Sequence, residues 1–190
     1  MLALIIVCLI SLNSGISNTN ISNTSIVGNL TKIDNNYFGN LEEISSDYFN
    51  ECDNKGSLEE LYYNTYESFS YSNKENDLNK RAIVYLPYGY NENNKYNVFY
   101  LMHGGWCNEA LSLGTPSNSS KFKNVIDNMI KNKGMDPLII VCPTYNNISS
   151  NDSSSFSLAL QMTRNYHNEL INDLILALNQ RILRKLYYLR

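Results

Sequence analysis

Short apolar runs bounded by turn residues predict four β-strands in the middle of this chain. Two runs, NVFYLM and LIIVC, are almost continuously apolar, which is typical of strands buried on both faces of a sheet. The other two, LEELYYNTY and RAIVYL, are separated by a polar stretch at 70–80, and Pro87 ends the second because proline cannot donate to a strand ladder. The predicted strands are residues 58–66, 81–86, 97–102 and 138–142.

Two later segments have the periodicity of amphipathic helices. The first follows a candidate N-cap at Ser119 or Ser120 and ends near Lys133 and Gly134, where glycine can adopt the left-handed conformation beyond a helix end. Its predicted apolar face consists of Phe122, Val125, Ile126, Met129 and Ile130. The second spans about residues 157–180, with a predicted buried stripe of Tyr166, Leu170, Ile171, Leu174, Ile175 and Leu178. The resulting order is β-β-β-α-β-α, and from residue 97 onward it contains the strand–helix–strand crossover of an α/β sheet.

The N-terminal region has a different pattern from this domain. The apolar run at 2–12 is too short for a membrane span of roughly 20 residues and has about the length of a signal-peptide core. Gly15 and Ser17 suit a cleavage site after Ser17, so we predict a signal peptide at 1–17 and a secreted protein without stable membrane association; the alternative is a buried N-terminal helix. Residues 18–55 are polar and Asn-rich and are predicted to form a linker to a domain at 56–190.

Composition and charge narrow the possible functions. The chain has 15 basic and 18 acidic residues, a formal charge of −3, and so indicates no basic surface for nucleic acid. An apolar content of 43% with 15 tyrosines predicts a packed core. Asparagine, 30 of 190 residues, creates six N-glycosylation sequons that are compatible with secretion. Their asparagines are Asn20, Asn23, Asn29, Asn118, Asn147 and Asn151.

Cysteine and histidine give little support for a metal site. Loss of the predicted signal peptide removes Cys8, so at most one internal disulfide can form among the remaining cysteines, Cys52, Cys107 and Cys142. Cys142 lies in an apolar run and is interpreted as a small buried strand residue rather than as a reactive thiol. The chain has no C-x-x-C pair and only two histidines, so no zinc site is predicted.

The candidate chemistry lies where the predicted strand at 97–102 runs directly into His103-Gly104-Gly105. Glycines after a buried strand allow a sharp loop to direct backbone N–H groups at a bound oxyanion. An HGG sequence in this position is the pattern of the oxyanion loop of α/β-hydrolases, although a Gly-Gly turn at a strand end is also common in plain loops.

Five segments around this loop resemble one enzyme family. They are V-Y-L-P-x-G-Y at 84–90, K-Y-x-V-x-Y-L-x-H-G-G at 95–105, N-x-I-D-N-M-I at 124–130, P-L-I-I-V-x-P-T at 137–144 and Y-H-N-E-L-I-N-D-L-I at 166–175. In this order and spacing, they resemble the secreted feruloyl and acetyl-xylan esterases of carbohydrate esterase family 1, the esterase D-like group. The resemblance covers residues 56–175.

The resemblance implies an α/β-hydrolase fold and a Ser-His-acid mechanism that needs no cofactor and no metal. The implied partner is acylated plant cell-wall polysaccharide, xylan or its oligosaccharides. His103 would shape the loop, and an amide near Gly104, Gly105 or Trp106 would hold the oxyanion. Trp106 would line the acyl pocket or, alternatively, pack over the core as a loop residue.

The chain departs from this family after the second predicted helix. A G-x-S-x-G nucleophile elbow is expected there, and none occurs in the 190 residues. None of the triad can therefore be assigned: His167 and Asp173 precede the expected elbow, and the serines at 117–120 and 153–155 have no evident base. His167 is instead predicted to be structural or exposed.

The tail at 176–190 is also atypical, with four basic residues in the last ten. A frame shift, a retained intron or a truncated gene model would produce this pattern; a genuine amphipathic helix end is the alternative. We expect an incomplete α/β-hydrolase that comprises the N-terminal strands and first helices, without the nucleophile, inactive alone and marginally stable. The competing hypothesis is a secreted, non-catalytic carbohydrate-binding glycoprotein or a pseudogene product.

Overall fold

The computed structural model describes residues 43–183, and within them the main element is a four-stranded mixed sheet. The strand order is β1-β2-β6-β3; β1–β2 and β2–β6 are antiparallel, and β3 and β6 are parallel neighbours. A small separate hairpin consists of β4 and β5. The bounds are β1 Ser57–Tyr66, β2 Asp77–Leu86, β3 Asn97–Tyr100, β4 Gly114–Thr115, β5 Asn118–Ser119 and β6 Leu138–Cys142.

Helical structure covers the two segments predicted from periodicity. Helix α1 spans Lys121–Lys131 between β3 and β6, and this confirms the strand–helix–strand unit. The second helical segment is continuous from residue 156 to residue 183, but two π-helical stretches interrupt it. Its parts are α2 Phe156–Glu169, π-helix Leu170–Leu174, α3 Ile175–Leu178 and π-helix Asn179–Leu183. Three short 3₁₀ helices span Ser46–Phe49, Tyr71–Asn73 and Ser150–Ser153.

The long hairpin of β1 and β2 extends further than the sequence predicts. Its register runs from Ser57 opposite Leu86 to Tyr66 opposite Asp77, so β2 begins four residues before the predicted start at 81. The additional residues are polar, yet they continue the ladder because their backbone groups pair with β1. Strand β3 ends at Tyr100, two residues before the predicted end. Strand β6 has the predicted bounds.

Two hydrophobic clusters pack on the two faces of the sheet. The cluster facing α2, α3 and the π-helical stretches contains Leu61, Tyr63, Ala82, Val84, Leu86, Tyr100, Ile139, Val141, Leu174, Leu178 and Ile182. The cluster facing α1 contains Ile83, Tyr85, Leu113, Ile126, Ile140 and Cys142. Alternation along each strand divides the side chains between the faces, as expected for a sheet covered by helices on both sides. Cys142 is buried, as predicted, and burial raises its pKa to about 12.

Helix α1 begins as predicted but ends differently. Ser120 caps its start by accepting a hydrogen bond from the Lys123 amide. Lys133, not Gly134, occupies the left-handed position after the helix, with φ of 58°. Phe122 was expected on the buried face but is exposed, because the buried face also holds Lys123 and Asp127 as an ion pair and is therefore rotated away from Phe122.

The predicted stripe of the second helix is wrong at Ile171, which is exposed. Tyr166, Leu174 and Leu178 of the predicted stripe are buried, and the buried face also includes Met162, Glu169 and Ile182. The step from Glu169 to Leu174 is five residues, which is the spacing of a π-helical turn rather than an α-helical one. The π-helical stretch therefore turns Ile171 toward solvent and brings Leu174 onto the sheet.

Residues 43–55 of the predicted linker lie on the surface of α1. The Asn128 side-chain amide donates to the carbonyls of Tyr48 and Asn50, and Asn124 donates to the carbonyl of Phe49. Within 43–183, no helix is long and apolar enough to cross a membrane. The predicted signal peptide, the linker before residue 43, the sequons at Asn20, Asn23 and Asn29, and residues 184–190 of the tail lie outside the described residues.

Candidate active site

The HGG loop, residues 103–106, lies at the carboxyl ends of the parallel pair β3 and β6. His103 follows β3 by three residues, and Thr144 follows β6 by two. In open α/β sheets, ligands bind at the carboxyl ends of parallel strands, where loops from neighbouring strands meet. The predicted loop is therefore in a position where a binding site can form.

His103 is a buried anchor of this loop, not an exposed general base. Its Nε2 lies 2.8 Å from Thr144 Oγ1, its Nδ1 lies 2.7 Å from the carbonyl oxygen of Gly104, and its ring stacks on Tyr145 at 4.4 Å. Burial lowers the pKa of His103. In the neutral ring, Nδ1–H must donate to the Gly104 carbonyl, so Nε2 accepts from the Thr144 hydroxyl. These contacts connect the ends of β3 and β6 and fix the start of the loop.

Two amides of the loop are available to a ligand. Within the described residues, the N–H groups of Gly104 and Gly105 donate to no acceptor, whereas the N–H of Trp106 donates to the Ser153 carbonyl at 3.3 Å. Gly104 and Gly105 therefore remain the candidate oxyanion donors, and the Trp106 amide is already paired. The indole of Trp106 is exposed, and none of the described aromatic pairs includes it.

The loop turns at Trp106 and not at either glycine. Trp106 has φ of 59°, in the left-handed region that bulky residues rarely adopt, while neither glycine has a positive φ. Gly105 is needed for close approach: a Cβ there would lie 3.3 Å from the Ser153 carbonyl oxygen. A Cβ on Gly104 would meet no atom within 4 Å.

The segment at 146–153 supports the far side of the loop. The Asn146 side-chain amide donates to the Cys107 carbonyl at 2.8 Å, and its backbone N–H donates to Thr144 Oγ1. Ser149 and Asp152 form a capping box on the 3₁₀ helix that ends at Ser153. The motif at 137–144 pointed to Thr144, but neither Asn146 nor Ser153 carries a sequence signal that could have identified it.

A cluster of buried charged and polar side chains lies between β2 and α2, close to the candidate site. Lys80 and Glu169 form an ion pair at 2.7 Å with both side chains at most 3% exposed, and the Tyr63 hydroxyl donates to Glu169 at 2.6 Å. Burial raises the pKa of Glu169 and lowers that of Lys80, and the attraction between the two opposes both changes. The positive charge of Lys80 adds to burial in lowering the pKa of His103. Glu169 and Lys80 were not recognised from the sequence, since their mutual contact spans 89 positions.

The described residues do not assemble a catalytic triad. His103 contacts Thr144 and no serine; His167 is exposed, as predicted, and its Nδ1 contacts the Arg164 carbonyl. Asp173 accepts hydrogen bonds from Thr65 and Tyr71. No group of three or more His, Cys, Asp or Glu residues within 43–183 is placed to hold a metal ion, and Cys52, Cys107 and Cys142 are free thiols.

The three sequons inside the described part have different surroundings. Asn118 and Asn151 are exposed. The Asn147 side chain is occupied on both sides: its Oδ1 accepts from Ser68, and its Nδ2 donates to Glu67 at 2.7 Å.

Comparison with known proteins relates part of this chain to a xylanase and to feruloyl esterases. No family model matches the sequence. A stretch of 67 residues is 52% identical to endo-1,4-beta-xylanase Y of Acetivibrio thermocellus, covering 35% of this chain and 6% of the xylanase. The chain thus spans only a small part of that relative.

Two solved structures give the structural comparison. A CE1 ferulic acid esterase from Anaeromyces mucronatus, in complex with ferulic acid, has a TM-score of 0.54 and 22% identity over 73% of this chain and 48% of that chain. A serine-to-alanine mutant of the feruloyl esterase module from Clostridium thermocellum, complexed with sinapinate, has a TM-score of 0.45 and 37% identity over 56% of this chain and 33% of that one. Over part of its length, the chain is therefore structurally similar to the feruloyl esterases of carbohydrate esterase family 1, and its mixed sheet matches part of their α/β-hydrolase fold.

Proposed function

We propose that this chain provides the N-terminal part of a secreted carboxylic ester hydrolase that removes feruloyl or acetyl groups from plant cell-wall xylan. The observation that carries the proposal is the HGG loop, which holds two amides that no described residue pairs, at the carboxyl ends of β3 and β6. The motifs at 84–90, 95–105, 124–130, 137–144 and 166–175 support the same enzyme class.

The proposed role of this loop is to stabilise negative charge on the substrate. When a serine attacks an ester carbonyl, negative charge develops on the carbonyl oxygen, and amides fixed in a water-excluded site stabilise that charge. The Gly104 and Gly105 N–H groups would supply this stabilisation, and the hydrogen bonds of His103 with Thr144 and of the Trp106 amide with the Ser153 carbonyl hold the loop in place beforehand. Removal of one such donor in a serine hydrolase typically costs about 100-fold to 1,000-fold in kcat.

The serine, the acid and the base of the mechanism are proposed to lie outside these 190 residues, which contain no G-x-S-x-G sequence. In the described structure, β3 is an edge strand with Tyr100 buried and Val98 and Phe99 half-buried. An edge of this kind is open to pairing with a further strand. We therefore propose that the 190-residue chain alone does not hydrolyse esters.

The substrate is proposed from the relatives and from the sequence. The matching xylanase is named for xylan, and the structurally similar Anaeromyces mucronatus enzyme is a ferulic acid esterase with ferulic acid bound. Secretion and N-glycosylation remain part of the proposal, with Asn118 and Asn151 as the accessible acceptors in the described domain.

A chimera tests this function. Residues 56–175 would replace the matching region of the Clostridium thermocellum feruloyl esterase module, and release of ferulate from methyl ferulate would be measured. We expect the chimera to hydrolyse the ester and the 190-residue chain to give no turnover above buffer. A folded chimera without activity would refute the proposed function, and turnover by the 190-residue chain would refute the proposed location of the nucleophile.

The competing function, a non-catalytic carbohydrate-binding glycoprotein, makes a different prediction in the same experiment. A chimera that is folded, binds xylan and fails to hydrolyse either methyl ferulate or an aryl acetate would favour it. The buried anchoring of His103 and the two free amides favour the esterase, because simple sugar binding does not require an oxyanion site.

A further inference from the structure

A polar cavity of about 320 Å³ lies beside the HGG loop. One wall is the β1–β2 hairpin at Tyr62 and Arg81, and the opposite wall is formed by the segments that follow the HGG loop and β6. Thr144 and Asn146 line the cavity and also hold the loop, through His103 and the Cys107 carbonyl respectively. The cavity and the candidate oxyanion site thus share a wall.

The charge of the cavity argues against an anionic ligand. Its guanidinium, Arg81, already contacts Glu109 at 2.7 Å and Glu60 at 2.8 Å. The second cation of the lining, Lys80, is paired with Glu169 at 2.7 Å, so both cations are already compensated by carboxylates. A carboxylate, a sulfate or a phosphate would meet no uncompensated positive charge at this position.

The cavity does present acceptors that need donors. Asn146 Oδ1 is buried and has no hydrogen-bond donor among the described residues, although the Nδ2 of the same amide is paired. Glu109 receives both Arg81 bonds on Oε1, and its Oε2 has no protein donor within 43–183. An unpaired buried acceptor is costly, so a bound molecule that donates an O–H group to Asn146 would gain, and Glu109 Oε2 offers a second acceptor. The Asn108 side chain adds a further amide to the lining, whereas the Asn147 amide is already paired with Ser68 and Glu67.

An aromatic surface completes the lining. The Tyr62 hydroxyl is bound to Glu60 at 3.1 Å, which holds the ring, and about half of the side chain is exposed. A fixed aromatic face beside hydroxyl acceptors fits a pyranose ring, whose C–H face is apolar and whose edge carries hydroxyl donors. Apart from Ile148, the other lining residues carry amides, hydroxyls or charges, so the cavity suits a hydroxyl-rich ring better than the planar apolar ring of a feruloyl group.

We infer that this cavity is a subsite for a neutral sugar residue of the polysaccharide, with hydroxyls donating to Asn146 and Glu109 and the ring resting on Tyr62. The choice of xylose rests on the proposed function, whereas the neutral sugar class rests on the cavity itself. Such a subsite would hold the polysaccharide beside the loop that receives the ester. Ester specificity and polysaccharide specificity would then reside in separate parts of the protein.

The test is a titration of the 190-residue chain with xylotriose, in which binding is measured from changes in the amide chemical shifts in NMR spectra. We expect saturable shifts at the side-chain amides of Asn108 and Asn146, and a loss of affinity of about fivefold to tenfold in Tyr62→Ala. Tyr88→Ala is the matched control, because Tyr88 is similarly exposed and does not line the cavity. It should bind xylotriose as the wild type does.

Three results would overturn the inference. They are the absence of saturable shifts at these amides, equal losses of affinity in Tyr62→Ala and Tyr88→Ala, and displacement of xylotriose by ferulic acid. Xylotriose binding needs no hydrolysis, so an inactive chimera with intact binding would remove the proposed function and leave the subsite. An active chimera, combined with no xylotriose binding by the 190-residue chain, would support the proposed function and refute the subsite. Binding of cellotriose with the same affinity would keep the sugar subsite and remove the preference for xylose.

Discussion

Two lysine–carboxylate–tyrosine clusters lie on opposite faces of the sheet and are built differently. In the α1 cluster, Lys123 contacts Asp127 at 2.6 Å on the same helix, and Tyr85 donates to Asp127 at 2.8 Å. The α2 cluster is made of Lys80, Glu169 and Tyr63, and both of its polar contacts join a strand to a helix.

The two clusters differ in the number of hydrogen-bond donors that each carboxylate receives. Asp127 accepts from three donors, the third being the Gly56 amide at 2.8 Å. Glu169 has two donor groups, and nearby the Tyr166 hydroxyl is buried with no hydrogen-bond partner among residues 43–183. A buried pair that lacks surplus donors loses more when one partner is removed. The α2 cluster should therefore be the more vulnerable of the two, and it is also the one that lies close to the candidate active site.

The largest effect is expected from Lys80→Met. This change leaves the Glu169 carboxylate buried without its cation and should lower the free energy of unfolding by about 3–5 kcal/mol, measured by urea denaturation. The control is the double variant Lys80→Met/Glu169→Leu, which removes both charges and should recover most of the loss. If the double variant is no more stable than the single one, the ion pair does not control stability on this face.

On the other face, Asp127→Asn should cost about 3 kcal/mol, the low end of the same range, because Lys123 loses its carboxylate but is more exposed than Lys80, 7% against 3%. The asparagine oxygen can still accept from Tyr85 and from the Gly56 amide, but the charge-assisted bond to Lys123 is lost. The same urea denaturation measures it. A loss as large as that of Lys80→Met would mean that the two clusters are equally vulnerable.

The tyrosines allow a matched comparison with one hydroxyl removed on each face. Tyr63→Phe should cost about 2 kcal/mol and Tyr85→Phe about 1 kcal/mol, because Asp127 keeps two donors, Gly56 and Lys123, whereas Glu169 keeps Lys80 alone. Thermal or urea unfolding of the two variants measures the difference. The reverse order would contradict the assignment of surplus donors to the α1 cluster.

The smallest effect concerns pH and the link between the α2 cluster and the loop. Burial and the positive charge of Lys80 both lower the pKa of His103 from its usual value of 6.5. As pH falls below 6.5, His103 therefore binds a proton in the unfolded chain before it does so in the folded chain. The stability contributed by His103 is thus complete above pH 6.5 and is lost as pH falls through its lower folded pKa. His103→Gln should remove this part of the pH dependence, and Lys80→Met should raise the pKa of His103 in an NMR titration. A pKa of His103 that Lys80→Met leaves unchanged would contradict the link.

The same contrast explains how much of the fold could be predicted from the sequence. The apolar run of β6 and the Ser120 cap of α1 are local signals, and both were predicted correctly. Even the Lys123–Asp127 pair follows the local spacing of i and i+4. Lys80 lies in a polar stretch that predicts a loop, and its inward position depends on Glu169, a partner that no short window contains.

The candidate site shows the same division. The HGG sequence and the strand before it identified the loop, since both are contiguous. The left-handed turn at Trp106 and the hydrogen bond of its amide to the Ser153 carbonyl arise where separate segments meet, so periodicity and turn propensity could not reveal them. The error at Ile171 has a similar origin, because a single π-helical turn changes the helix face without a clear sequence signature.

The most direct test of the central claim is methyl ferulate hydrolysis by the chimera with valine at each glycine of the loop. A side chain at 105 meets the Ser153 carbonyl at 3.3 Å and should displace the loop, whereas position 104 has open space within 4 Å. Displacement of a catalytic loop by about 1 Å can cost about 100-fold in rate, so Gly105→Val should lose about that much and Gly104→Val far less. Equal activity of both variants and the unsubstituted chimera would show that this loop does not hold the oxyanion.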